Sequence, residues 1–188
     1  MTETTDTMQG EGDVVDLLLA QHEQAKQLFS TVESGAGSRQ EAFDQLLRLL
    51  AVHETAEEMV VYPALRRAPN GDAIAEARLA EEDKAKKVLA DLESLGADGN
   101  GFMDRFEEFR TMVLDHAEAE EREVFPLIRA NCNLDERLSM GQALMAAEAV
   151  APTHPHKLAP ESAVGNAVAG PVVALIDRVR DAIKNARQ

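Results

Sequence analysis

The chain has almost no aromatic residues and only one cysteine. Tryptophan is absent, and aromatic residues make up 4% of the 188 residues. Strands favour aromatic and β-branched side chains, whereas Ala, Leu, Glu and Arg dominate here and favour helices. Cys132 alone cannot form an intramolecular disulfide, and no apolar run approaches the roughly 20 residues that cross a bilayer. We therefore expect an all-α protein without a membrane partner.

Basic residues are also scarce. The sequence has 19 Lys and Arg against 34 Asp and Glu, which gives a net charge of −15. Because a nucleic-acid backbone is anionic, this acidity disfavours nucleic acid as a partner. No charged segment followed by an apolar one opens the chain, so a cytoplasmic location is expected. The length suits one compact domain with additional segments.

Apolar residues recur at three- and four-residue steps over four long segments, which predicts four helices. Gly, Pro and Asn residues separate the segments, and Asp13 and Asp72 are the expected caps of the first and third helices. Short connections between long helices favour antiparallel neighbours. Residues 13–131 are therefore predicted to form an up-down-up-down four-helix bundle, preceded by a flexible tail over residues 1–12.

Residues 132–188 are predicted to be a helical extension of the bundle. Helices are expected over about 135–150 and 171–186, joined by a proline-rich connection in which His154 and His156 form a polar turn. The last helix carries an apolar stripe that must be buried against the bundle or a second subunit, so a monomer and a homodimer both remain open. Cys132 is expected in a loop as an incidental thiol.

An internal repeat carries the candidate chemistry. HETAEEMVVYPALR at 53–66 matches HAEAEEREVFPLIR at 116–129. Residues four apart share one helix face, so His53 lies beside Glu57 and His116 beside Glu120, both pairs on apolar stripes. A buried carboxylate needs a compensating cation. Imidazole and carboxylate ligands without cysteine suit iron, manganese or zinc.

Two further residues are predicted to face the same interior. His22 replaces an apolar residue in the first helix, and Glu82 does so in the third. Taken alone, His22 could equally be a hydrogen-bonded core histidine, and Glu82 could belong to a solvated acidic face. The following residues are open alternatives as metal contacts or flanking groups: Glu58, Tyr62, Glu81, Asp83 and Glu121. Of these, Tyr62 is expected to be a packing residue.

The helix order, the histidine of the first helix and the two His-x-x-x-Glu pairs with a following aromatic-Pro resemble the hemerythrin-type HHE cation-binding domain. The resemblance covers about residues 13–131. It implies a diiron centre, oxo- or hydroxo-bridged, inside the bundle. Its ligands would be bridging Glu57 and Glu120, with His22 and His53 on one iron and His116 on the other.

The third helix departs from the oxygen-carrying members of that family, which place two histidines there. This chain has Glu82 and Lys86 instead. A shell of three histidines and three carboxylates is more negative and favours ferric iron, which disfavours reversible oxygen carriage. The whole chain resembles actinobacterial hemerythrin-like proteins, a group associated with peroxide and nitric-oxide stress.

These patterns predict a diiron protein that reacts with a small oxidant. The favoured reaction is catalase-like decomposition of hydrogen peroxide, and reaction with oxygen or nitric oxide is also considered. A reversible O2- or NO-binding or iron-sensing module without turnover is the first alternative. A purely structural bundle without metal is the second.

Overall fold

The computed structural model describes residues 12–149. Its helices are α1 (Val14–Ser34), α2 (Arg39–Leu65), α3 (Gly71–Leu95), α4 (Phe102–Ala119), a π-helical turn (Glu120–Val124), α5 (Phe125–Asn131) and α6 (Leu134–Glu148). No strand occurs among these described residues. The predicted all-α class is confirmed. The predicted tail at 1–11, the connection with His154 and His156 and the last helix lie outside the described residues.

The fourth predicted helix is observed as three consecutive pieces. Backbone angles remain right-handed helical from α4 through the π-helical turn into α5, so the pieces form one continuous helix. Within the turn, the N–H of Phe125 donates to the carbonyl of Glu120, five residues earlier. The sequence pattern predicted an uninterrupted α-helix here and missed this widened turn.

Side-chain caps fix the starts of α1 and α2, and Asn133 caps α6 in the same way. Asp13 accepts a hydrogen bond from the Val15 N–H, and Ser38 accepts one from the Glu41 N–H, which satisfies donors that a helix leaves unpaired. The predicted cap of the third helix was wrong. Asn70 occupies that position with a left-handed φ of 60° and makes no side-chain cap, so Asp72 lies inside α3.

The core consists of two apolar clusters stacked along the bundle. One contains Leu18, Ala56, Val60, Val124 and their neighbours, and the other contains Ala25, Leu50, Ala85, Val113 and theirs. On each long helix a short polar stretch lies between the residues of the two clusters. The bundle therefore has a polar layer at mid-height, closed above and below by packed hydrocarbon.

Helix α6 packs against α1 and α2. Its Met140, Leu144 and Ala147 are fully buried, and Gly141 lies so close to the start of α1 that an added Cβ would stand 1.8 Å from the Gly12 carbonyl oxygen. Cys132, predicted in a loop, caps the end of α5 and is buried in the core. None of the helices over residues 12–149 is long and apolar enough to cross a membrane.

Candidate metal centre

The polar layer contains all six of the predicted ligand residues. Each long helix contributes at least one of them: His22 from α1, His53 and Glu57 from α2, Glu82 from α3, and His116 and Glu120 from α4 and the π-helical turn. Glu57 and Glu120 are 0% exposed, and even the most accessible of the six, His116, has a side chain only 11% exposed. The layer is therefore a buried cluster of imidazoles and carboxylates.

Ligand atoms within the layer form two groups that share one residue. One group is His22, His53 and Glu120, and the other is Glu57, His116 and Glu120, with one ligand atom from each residue within 4.8 Å of the others. The Nε2 atoms of His22 and His116 lie 3.4 Å from different oxygens of the Glu120 carboxylate. Glu120 thus faces both groups, as a carboxylate bridging two metal ions would.

The atoms that face the layer lack hydrogen-bond partners. Both oxygens of Glu57, one oxygen of Glu120 and the Nε2 atoms of His22 and His116 are buried without one. Leaving a buried polar atom unpaired costs roughly 1–3 kcal/mol, and more if it is charged. Metal coordination would satisfy these atoms together. The donor set, nitrogen and oxygen without sulfur, fits iron, manganese or zinc.

In each of the three histidines of the layer, the nitrogen that points away from the centre already has a hydrogen-bond partner. His22 Nδ1 lies 3.0 Å from Glu121 Oε1, His116 Nδ1 lies 3.1 Å from Glu81 Oε2, and His53 Nδ1 lies 2.7 Å from Gln21 Oε1. A metal-binding histidine typically donates its outer N–H in this way, which points the lone pair of the other nitrogen at the metal. All three rings therefore present Nε2 to the interior.

Burial and mutual contact shift the protonation of these ligands. Burial holds the pKa of Glu57 well above its usual range, and burial with the charges of Glu54 and Glu58 raises the pKa of Glu82 to about 9. Burial lowers the pKa of His53 to about 3, so that its ring is neutral.

The remaining pair behaves in the opposite way. Burial alone would lower the pKa of His116, but the close contact with the charged Glu120 carboxylate raises it to about 9. Burial alone would likewise raise the pKa of Glu120, but contacts with His116 and His22 hold it well below its usual range. Without metal, the layer contains an ionised Glu120 beside a charged His116.

Tyr62 packs in the first apolar cluster, as the sequence indicated, and its hydroxyl group also contacts the layer. Its hydroxyl oxygen lies 2.9 Å from Glu82 Oε1 and 3.1 Å from Glu120 Oε1. The Tyr62 hydroxyl has one hydrogen and can donate it to only one of these oxygens at a time. Because the pKa of Glu82 is raised, the Glu82 carboxyl group holds a proton that it can donate in the other contact. Tyr62 thus joins the third helix to the shared carboxylate.

Replacing Tyr62 by Phe is expected to destabilise the chain without unfolding it. The ring stays packed, but two buried carboxyl groups lose a partner, which costs about 1–3 kcal/mol. Urea unfolding of the metal-stripped protein measures the change. An unfolding midpoint equal to wild type for Tyr62→Phe would show that the two hydrogen bonds contribute nothing.

The other open alternatives take different places. Glu121 and Glu81 contact the outer nitrogens of His22 and His116, while Asp83 is exposed. Glu58 has an exposed side chain 3.8 Å from Lys86 Nζ. None of the four therefore faces the centre of the layer.

Sequence reasoning missed two residues behind the layer. Gln21, which precedes a predicted ligand, contacts His53, and Glu148 on α6 accepts a hydrogen bond of 2.5 Å from the Gln21 side-chain nitrogen. Gln21 and Glu148 are 127 residues apart in the chain. Only the packing of α6 against α1 brings them together, so no spacing in the sequence could have signalled the contact.

A small cavity of about 30 Å³ borders the layer on the side of the second apolar cluster. Space for one water molecule requires roughly 10–15 Å³ on this measure. Ala25, Leu50, Ala85 and Val113 provide apolar walls. The polar side consists of Glu54 and four of the predicted ligands, His22, His53, Glu82 and His116. The cavity therefore has room for a molecule of about the size of water beside the histidines of the layer.

Comparison with known proteins identifies the family. The pattern of the hemerythrin HHE cation-binding domain matches residues 13–128, so the chain belongs to this family and contains its metal-binding module. An uncharacterised hemerythrin-like protein of Schizosaccharomyces pombe is 29% identical over 140 residues, which covers 73% of this chain and 69% of that protein.

Two other similar proteins either share only part of their length with this chain or have lower sequence identity. A DNA nickase of Nostoc is 26% identical over 126 residues, which covers 66% of this chain but only 36% of the nickase. The crystal structure of an HHE cation-binding domain protein from Mycobacterium kansasii has a TM-score of 0.64 at 22% identity and covers 89% of this chain and 98% of that one. This last likeness confirms the helical fold.

Proposed function

We propose that the polar layer holds two iron ions and decomposes hydrogen peroxide to water and oxygen. One observation carries the proposal: two buried groups of ligand atoms share Glu120, and their inward-facing atoms lack other partners. The proposed ligands are the six residues predicted from the sequence: His22, His53, Glu57, Glu82, His116 and Glu120.

When bound, the iron pair would supply two electrons to reduce one peroxide to two waters and recover two electrons from the oxidation of a second peroxide to O2. The sum, two H2O2 to two H2O and one O2, consumes no external reductant. Glu57 from α2 and Glu120 from the π-helical turn would hold the two ions between them, and the outer partners of the histidines keep the imidazole rings in place.

Glu54 is the proposed proton carrier at the cavity. Its carboxyl group lines the cavity, and burial, opposed by the charge of Lys86, raises its pKa to about 7. A group with a pKa near the working pH can both accept and return a proton. Its side chain is 19% exposed and lies 3.9 Å from Lys86 Nζ, so protons can exchange with solvent there.

The proposal is tested by metal analysis and oxygen evolution. Protein purified without chelators is expected to contain about two iron ions per chain and to release O2 promptly on addition of peroxide. The double variant His53→Ala/His116→Ala removes one imidazole from each group of ligand atoms and should lose both the iron and the oxygen evolution. The exposed Glu118→Gln is the matched control. Stoichiometric iron in the double variant would overturn the ligand assignment.

The apolar walls of the cavity favour a second candidate function, binding of O2 or nitric oxide without turnover, because both molecules are weakly polar. Exposing the reduced protein to O2 separates the two. An absorption band that evacuation reverses, with no oxygen evolution from peroxide, would select binding over catalysis.

A further inference from the structure

Glu148 lies outside the four-helix bundle but is linked to the layer through one side chain. The Gln21 amide stands between Glu148 and His53: its nitrogen donates to Glu148 Oε1 at 2.5 Å, and its oxygen lies 2.7 Å from His53 Nδ1. This three-residue connection reaches from α6 through α1 to α2.

The direction of each hydrogen bond follows from what each group can do. A carboxylate has no hydrogen to donate, so Glu148 must face the NH2 end of the Gln21 amide. The oxygen end then faces His53, and because this oxygen can only accept, His53 Nδ1 must carry the hydrogen. The lone pair of the neutral His53 ring is left on Nε2, which faces Glu57 at 3.4 Å.

We propose that Glu148 is a positioning residue that fixes the orientation of the Gln21 amide and, through it, the metal-binding tautomer of His53. The inference rests on the proposed metal centre, since it assigns Glu148 the role of preparing one of the ligands. Helix α6, which carries Glu148, then contributes to the geometry of the metal centre.

His53 differs here from the other two histidines. His22 and His116 have the carboxylates Glu121 and Glu81 at their outer nitrogens, and a carboxylate accepts a hydrogen bond with either oxygen. The Gln21 amide accepts at one end and donates at the other. If it were reversed, its NH2 would face Nδ1, the ring hydrogen would move to Nε2, and that hydrogen would occupy the metal position.

Solvent has access to this connection. Gln21, His53 and Glu148 line an open groove on the outer surface of α1 and α2. Water in the groove can accept from the amide NH2 or donate to the amide oxygen, so it pairs with whichever end faces it. Solvent therefore does not select the orientation of the Gln21 amide. A group that can only accept does select it.

The test replaces this acceptor by a donor. Glu148→Lys presents only N–H groups and should reverse the amide, while a cation near the end of α6 suits the helix dipole and spares the fold. Long-range ¹⁵N–¹H correlation spectra of the full-length, metal-stripped protein report which nitrogen of His53 carries the hydrogen. The rate at which a ferrous chelator removes iron from the loaded protein gives the second readout. Glu118→Lys, with the same charge change on an exposed residue of α4, is the control.

In wild type and the control we expect the hydrogen on Nδ1 of His53. In Glu148→Lys we expect it on Nε2, with iron released about tenfold faster, the low end of the 10–100-fold effect typical of residues behind metal ligands. In a Gln21→Leu background, Glu148→Lys should cause no further change, because the connection is already broken.

An unchanged His53 tautomer and iron-release rate in Glu148→Lys would overturn the inference while leaving the metal centre intact. An additional effect of Glu148→Lys in the Gln21→Leu background would also overturn it, since Glu148 would then act by another route. Failure of the wild-type protein to bind iron would instead refute the proposed function itself.

Discussion

Replacing Glu120 by Gln is expected to abolish binding of both proposed iron ions. The side chain keeps its size, but the shared carboxylate becomes a neutral amide that can ligate through one oxygen only. Because Glu120 belongs to both groups of ligand atoms, neither group remains complete. Iron content measured on protein purified without chelators should fall from two ions per chain to almost none.

Single histidine variants provide the comparison for this result. His53→Ala and His116→Ala each damage only one group, so each should retain more iron than Glu120→Gln. Thermal unfolding separates lost metal from a lost fold: each stripped variant should still melt cooperatively. Two iron ions per chain in folded Glu120→Gln would show that this carboxylate does not bridge.

The special position of Glu120 depends on local charge as well as geometry. Its contacts with His116 and His22 hold its pKa low, whereas the neighbouring Glu57 has a raised pKa in the same layer. One carboxylate is thus ionised and ready to ligate before metal arrives, and the other must first lose a proton. Glu120 therefore offers the first incoming cation its ionised ligand.

Sequence reasoning located the layer because periodicity and repetition carry that information. His53 and Glu57 share a helix face through their four-residue spacing, and the second pair repeats it, so the sequence predicts buried ligands on both helices. The structure places these residues together with His22 and Glu82 at one height in the bundle. The helix face on which each ligand lies follows from local spacing. Its level along the bundle follows from its position in the helix, once the helices are taken to be antiparallel.

The contacts of Tyr62 and Glu148 could not be predicted from the sequence, because each of them joins side chains on different helices. Tyr62 lies off the His53 face by helical geometry, but its long side chain brings the hydroxyl to two carboxyl groups on other helices. Glu148 contacts Gln21 only because α6 folds back against α1. Helical periodicity describes one helix at a time and cannot register such contacts.

The π-helical turn shows that two matching sequence segments can adopt different helical geometries. Both halves of the repeat contain an aromatic residue followed by proline, and proline removes a helix hydrogen bond and crowds the preceding turn. Around Pro126 the helix widens into the π turn, but α2 continues as an α-helix through Pro63. The shared aromatic-Pro pair therefore does not by itself determine the π turn, which begins at Glu120, the residue common to both ligand groups.

Raising the pH from 6.5 to 9 is expected to destabilise the metal-stripped chain. His116 and Glu82 have folded-state pKa values raised to about 9, and that of Glu57 is raised well above its usual range. A raised folded-state pKa gives stability that is complete below the unfolded pKa and is lost as the pH rises through the folded one. His53 and Glu120 have lowered pKa values, so their contributions are lost only in acid.

The share of this effect that comes from His116 can be calculated from its own pKa. Its pKa rises from 6.5 to about 9, which corresponds to about 3 kcal/mol of unfolding free energy. For a chain of this length, that lowers the melting temperature by on the order of 10 °C. Differential scanning calorimetry of the stripped protein at pH 6.5 and 9 measures it. His116→Gln, which does not titrate, should show a smaller fall than wild type.

The stabilisation that metal adds should change with pH in the opposite direction. Ligands must be deprotonated to bind, so the protons held on Glu57, Glu82 and His116 are released when metal enters. Ferrous ion added without oxygen should therefore raise the melting temperature more at pH 9 than at pH 6.5, and its affinity should increase about tenfold per pH unit for each proton released. A metal-induced gain that shrinks with rising pH would contradict this assignment, because the same raised pKa values that destabilise the empty layer in base are what make it a stronger ligand set there.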